Sequence, residues 1–179
     1  MKEKEKDILI VYATISGRTH KVALELSKTF MPYGSDLVNL RDGISKNISE
    51  YRLIIFGSPT YGTGDWHYLF DKWKDRIERD SRVNWSEKMI ALFSLGNYRH
   101  HPNSFAGALI KLKTFADSLD ASLVGRVEKR DDYNSEMSEM FKGLLSENYI
   151  PGLVLDQVNE RRLSKMRIAS WAEEIRKRL

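Results

Sequence analysis

At 179 residues the chain is long enough for one substantial domain, and its 41% hydrophobic and 11% aromatic content is that of a globular protein. It has no cysteine, which excludes disulfides, cysteine-ligated metal and iron–sulfur clusters. The net charge of +4 raises nucleic acid as a partner, yet the excess is local: residues 160–179 hold seven basic and three acidic residues, and the other 22 basic and 22 acidic residues balance. A helix dipole accounts for Arg176, Lys177 and Arg178 near the end of this segment, so it reads as a solvated face, with a basic partner-binding patch as the other reading and no nucleic acid expected.

Residues 1–6 alternate in charge without an apolar core, which predicts a disordered tail rather than a signal peptide or anchor. Ile8, Leu9, Ile10, Val11 and Tyr12 predict a buried strand, followed by a hydroxyl-rich turn from Thr14 to Thr19. Val22, Ala23, Leu26 and Phe30 then recur at helical spacing. A short strand is expected at 34–40 and a fully buried one at 51–57, which ends in the turn-forming residues 58–64. Leu69, Phe70, Trp73 and Ile77 mark a second helix face, and residues 88–94 a further strand. Pro102 is placed to open a helix carrying Phe105, Leu109, Leu112, Phe115 and Leu119. Residues 123–125 begin the last strand and residues 152–155 resume it, with 128–148 as an insertion between them. Asn159 is placed to cap a terminal helix whose inner face holds Leu163, Ile168, Trp171 and Ile175.

Strand and helix alternate from end to end without repeat or linker, so residues 1–179 read as a single α/β domain with a doubly wound parallel sheet. Ligands of such sheets sit beyond the carboxyl ends of the strands. The loops at 14–19, 58–66 and 95–101 all follow strands and should gather on one edge. The first lacks the Gly-Lys-Ser/Thr ending of a nucleotide loop and any carboxylate for Mg²⁺; its hydroxyls and amides suit a phosphomonoester. The other two bring rings (Tyr61, Trp66, Tyr98 and His101) beside glycines, which suits a flat heterocycle carrying that phosphate. Trp73, Trp85 and Trp171 read as packing residues, and His20 and His67 as surface or capping residues. The adjacent His100 and His101 are poorly spaced for one metal ion, and no metal site is expected.

Three motifs, Thr14-x-Ser16-Gly17-x-Thr19, Ser58-Pro59-Thr60-Tyr61-Gly62 and Leu95-Gly96-Asn97 with Phe105, stand in order after successive strands. With them the chain resembles the flavodoxins over nearly its whole length, and the interrupted last strand resembles that of the long-chain type. The resemblance implies a three-layer flavodoxin-like fold, a five-stranded parallel sheet of order 2-1-3-4-5, and FMN as cofactor. It implies that Thr14, Ile15, Ser16, Gly17, Arg18 and Thr19 hold the phosphate. Ser58, Pro59, Thr60, Tyr61, Gly62 and Thr63 would face the ring system, Tyr61 covering one side. Leu95, Gly96 and Asn97 would meet its pyrimidine end, and His101, with Tyr98 the other candidate, would cover the outer face. Flavodoxins are usually acidic and this chain is not.

The resemblance further implies an electron carrier with no catalytic residues of its own, passing single electrons from a flavodoxin reductase or other donor to acceptor enzymes. The absence of cysteine fits the cytoplasm, no apolar run reaches membrane-spanning length, and without heptads or a long apolar edge a monomer is expected. Two other classes remain in view at this point. One is a flavodoxin-fold NAD(P)H-dependent quinone or azo reductase; the other is a non-redox docking module that keeps the fold.

Overall fold

The computed structural model describes residues 7–31, 33–128 and 149–179. The tail 1–6 and nearly all of the insertion 128–148 lie outside the described residues. Eight strands are described: β1 (Ile8–Tyr12), β2 (Ser35–Asn39), β3 (Leu53–Pro59), β4 (Met89–Leu95), β5 (Ser122–Leu123), β6 (Val127–Glu128), β7 (Tyr149–Ile150) and β8 (Leu153–Leu155). The four described α-helices are α1 (Arg18–Thr29), α2 (Leu69–Glu78), α3 (Gly107–Ser118) and α4 (Arg161–Arg176).

The main sheet is parallel in the order β2-β1-β3-β4-β5. Its fifth position is shared. β5 pairs with the start of β4, at Met89 and Ile90, whereas β8 pairs with its end, from Phe93 to Leu95. Between them β6 and β7 form a short antiparallel pair. One strand position is thus filled from both sides of an interruption, as the sequence predicts.

Side chains alternate across a strand, so each continuous apolar run feeds two cores. From β1, Leu9 and Val11 join Ile54, Phe56 and Leu92 under α2 and α3. Ile8, Ile10 and Tyr12 turn the other way and join Ile55, Phe93 and Leu155 under α1 and α4. The result is three layers. The sheet is wholly buried at its centre, where all five β1 residues are at most 3% exposed.

The chain runs from β1 outward to β2, then returns to place β3 on the other side of β1. The strand order therefore reverses at β1/β3, and the crevice beyond their carboxyl ends is the general ligand position in such sheets. Register aligns those ends: Tyr12 lies beside Gly57, Pro59 beside Leu95, and Leu95 beside Leu155.

Three local expectations need correction. Pro102 does not open α3; the chain turns through residues 102–106, and the helix starts at Gly107 after Ala106 takes a left-handed φ of 62°. Asn159 does not cap α4, which begins after Glu160 without a side-chain cap. Leu163 is 36% exposed, and the buried face runs through Ser164, Ile168, Trp171, Ala172 and Ile175. Among the described residues no helix is long and apolar enough to cross a membrane.

Candidate functional site

The loop after β1 is shaped by its own side chains. The Thr14 hydroxyl accepts the Gly17 N–H at 3.0 Å, closing a turn. Gly17 then takes φ +77°, where a side chain would be strained, and α1 begins. α1 has no side-chain cap and no acidic residue in its first turn. The N–H groups of Arg18, Thr19 and His20 accordingly lack intrahelical acceptors, and the positive end of the helix dipole points at the loop. Such an arrangement is able to accept an anion.

After β3 the Thr60 N–H donates to the Leu95 carbonyl at 2.8 Å, and its hydroxyl lies 3.2 Å from that of Ser94. Tyr61 and Asp65 then exchange N–H···O bonds in both directions at 2.8 Å. This makes a tight hairpin with Gly62 and Thr63 at its exposed tip. The hairpin is held from α3: a Cβ on Gly107 would sit 2.5 Å from the Gly64 Cα, and Lys111 pairs with Asp65. The Tyr61 ring stands edge-on to His67 at 5.6 Å, and burial pushes its phenol above the ordinary range. Ser58 lies beneath rather than in the cleft. Its hydroxyl is fully buried, accepts the His67 N–H at 2.9 Å and donates to the Pro59 carbonyl. His67 is a buried capping residue, its Nδ1 accepting the Leu69 N–H at the start of α2.

After β4 the Gly96 N–H donates to the Leu155 carbonyl at 3.0 Å. The His101 N–H returns to the Asn97 carbonyl at 2.9 Å, a turn that sets the exposed His101 at the rim. Tyr98 turns inward, edge-on to Phe105 at 5.9 Å and packed on the core. Trp66 also points inward, 6% exposed and stacked on Phe70 at 5.3 Å. Of the four loop rings named from sequence, Tyr61 and His101 border the cleft.

A fourth loop, after β8, escaped sequence reasoning. Asp156 is buried and accepts the N–H groups of Tyr98, Val158 and Asn159 at 2.8–3.0 Å. Asn159 donates its side-chain amide to Asp156 and to the Asn97 Oδ1 at 3.0 Å. These bonds tie the third loop to the fourth and bring Gln157 and Val158 to the cleft wall. The available signal was positional: this loop also follows a strand, although it has neither glycine nor ring.

The four loops enclose a cleft of about 150 Å³ lined by Thr14, Ile15, Ser16, Arg18, Thr19, Pro59, Thr60, Tyr61, Leu95, Gly96, Asn97, His101, Gln157 and Val158. Gly17, Ser58, Gly62 and Thr63 are not in that wall: Gly17 shapes the first loop, Ser58 supports the second, and Gly62 and Thr63 form the hairpin tip. A larger cavity beside β5, β6 and α4 holds none of the sequence-predicted residues. Among the described residues no cluster of His, Asp and Glu has metal-site spacing.

The family model described as flavodoxin matches residues 10–171. This chain belongs to the flavodoxin family. A flavodoxin of Buchnera aphidicola is 27% identical over 170 residues, covering 95% of each chain. One from Klebsiella pneumoniae is also 27% identical, over 96% of this chain and 97% of its own. In three dimensions the fold is similar to a crystal structure of Fusobacterium nucleatum flavodoxin bound to flavin mononucleotide. The TM-score is 0.82 with 25% identity, over 96% of this chain and 98% of that one.

Proposed function

We propose that the four-loop cleft is the FMN seat of this flavodoxin. The chain is an FMN electron carrier rather than a catalyst of its own substrate reaction. The observation that carries the location is convergence: an uncapped helix N-terminus with hydroxyls and no carboxylate opens onto the same cleft as Tyr61 and His101. The donor set fits the cofactor. The amides of the first turn of α1 with Thr14, Ser16 and Thr19 suit the phosphate dianion, and Arg18 adds a cation. The rings of Tyr61 and His101 suit the flat heterocycle. Asn97, whose side chain is pinned by Asn159, leaves its loop's backbone to meet the ring edge.

When bound, the flavin supplies the one-electron chemistry; the protein supplies binding, orientation and electrostatics. A cleft of about 150 Å³ falls below the roughly 300–1,000 Å³ of sites that engulf a ligand. A cofactor held in so shallow a cleft would keep an edge in solvent, as an electron carrier requires. Gly62, at φ +49° with open space where a side chain would be, lets the hairpin tip reorient beside the ring. The donors and acceptors are read as a flavodoxin reductase and a redox enzyme bound transiently, and the carrier as a cytoplasmic monomer. The family assignment favours this over an NAD(P)H-dependent reductase or a docking module.

Fluorescence titration of the apoprotein with FMN tests the location. Ser16→Asp, which sets a carboxylate against the phosphate, should weaken FMN binding by at least about tenfold, the equivalent of roughly 1.4 kcal/mol, while riboflavin binding changes little. Equal weakening of both ligands, or none of either, contradicts phosphate binding at this loop.

A further inference from the structure

Apart from Arg167, which pairs with Glu160 at 2.7 Å, the cations of α4 and its C-terminal end fall into two groups. At its C-terminal end Arg176 pairs with Glu173 at 2.8 Å and Lys177 with Glu174 at 2.7 Å, where the dipole also favours positive charge. At its N-terminal end Arg161, Arg162 and Lys165 are exposed and make no ion pair among the described residues. The first turn there has no acidic residue, and the dipole opposes these cations. Lys21 repeats the pattern on α1, one turn from Arg18, whose charge belongs to the phosphate site. Neither chain stability nor the dipole explains this placement.

α1 and α4 cover the same face of the sheet. Their N-terminal cations meet across a groove of about 220 Å³ lined by Arg18, Lys21, Arg161 and Lys165, with Glu25 the one carboxylate in its wall. Arg18 and Gln157 line both this groove and the four-loop cleft, so the two are continuous. Exposed apolar side chains are also present: Ile15 (62%) and Val158 (46%) in the wall of the adjoining cleft, and Met166 (61%) on α4, one turn from Arg162. Arginine and methionine around exposed apolar side chains describe a protein contact better than a merely solvated face.

We propose that this face docks an acidic redox protein, its carboxylates over the α1–α4 groove and its apolar centre against Ile15, Val158 and Met166. Docking there brings the partner's redox group to the open edge of the cleft. The proposal rests on the carrier reading above and specifies the charge of the partner.

The test uses FMN-loaded protein, reduced anaerobically and mixed with three acceptors: cytochrome b5 (acidic), cytochrome c (basic) and the neutral 1,4-benzoquinone. The rate to cytochrome b5 should fall about tenfold or more between about 10 mM and about 500 mM salt, while the rate to cytochrome c rises or stays level. The variant Lys21→Glu, Arg161→Glu, Arg162→Glu, Lys165→Glu should keep its FMN and its benzoquinone rate. It should lose about tenfold in cytochrome b5 rate at low salt, along with the salt dependence. Three reversals on α2 in the opposite layer, Lys72→Glu, Lys74→Glu and Arg76→Glu, should leave that rate nearly unchanged. A cytochrome b5 rate indifferent to salt and to the α1–α4 reversals overturns the proposal. So does that indifference accompanied by cosedimentation with anionic phospholipid vesicles, which assigns the face to lipid. Failure of the unsubstituted protein to hold FMN or reduce benzoquinone overturns the carrier reading instead.

Discussion

Asp156 shows how much of this site depends on side chains that never face the cleft. It collects three backbone N–H groups and one side-chain amide from two loops while only 1% exposed. Asp156→Ala leaves those donors without an acceptor and should lower stability by about 2–3 kcal/mol, since bonds to charged groups are the stronger ones; urea denaturation of the apoprotein measures it. FMN affinity should fall in parallel, because Asn97 and Val158 lose their anchor. His67 is a second buried polar residue with a consequence. Burial, reinforced by Arg41, holds its imidazole below the ordinary value of 6.5. The unfolded chain therefore takes up a proton that the folded chain resists, so stability is full above pH 6.5 and declines as pH falls below it. His67→Asn can keep an acceptor for the Leu69 N–H without titrating. Between pH 6.5 and 5 its denaturation midpoint should fall less steeply than that of the wild type; parallel profiles would contradict this.

At the scale of elements, α1 and α4 carry charges their own dipoles disfavour. Arg161→Glu and Arg162→Glu should each raise stability by about 0.3–1 kcal/mol at low salt, less at high salt. Thermal denaturation at two ionic strengths checks this, and destabilisation by either change would show that the arginines serve the fold. Gly107→Ala should act on the second loop, because its Cβ meets Gly64 backbone at 2.5 Å. A loss of about 1–3 kcal/mol together with weaker FMN binding is the expected result in a joint denaturation and binding assay. The central elements were legible in the sequence because strands buried on both faces must be continuous apolar runs, as in Ile8–Tyr12. The three motif loops were legible because their chemistry is local. What escaped was non-local. Pro102 fits a helix start, but the packing of Phe105 and the turn at Ala106 delay α3 to Gly107. Asn159 fits a cap, but Asn97 and Asp156 claim its side chain. Trp66 and Tyr98 sit in ring-bearing loops, yet Phe70 and Phe105 draw them inward. The fourth loop joined the cleft through Asp156, a single carboxylate with no motif around it.

For the molecule as a whole, the sheet sets one edge where four loops meet, and the charge is distributed around that edge rather than at random. The net excess of +4 resides on the α4 segment. The N-terminal half of α4 borders, with α1, the groove that opens into the cleft. A positive surround would favour the anionic, fully reduced flavin, so its lower reduction potential should become more negative as salt screens that surround. FMN held in the cleft for single-electron transfer has a direct electrochemical signature. Spectroelectrochemical titration of the FMN-loaded protein under anaerobic conditions tests it most directly. Two well-separated one-electron steps are expected, at potentials both displaced from those of free FMN. A colourless protein that takes up no FMN, or a single two-electron step at the free-flavin potential, would contradict it.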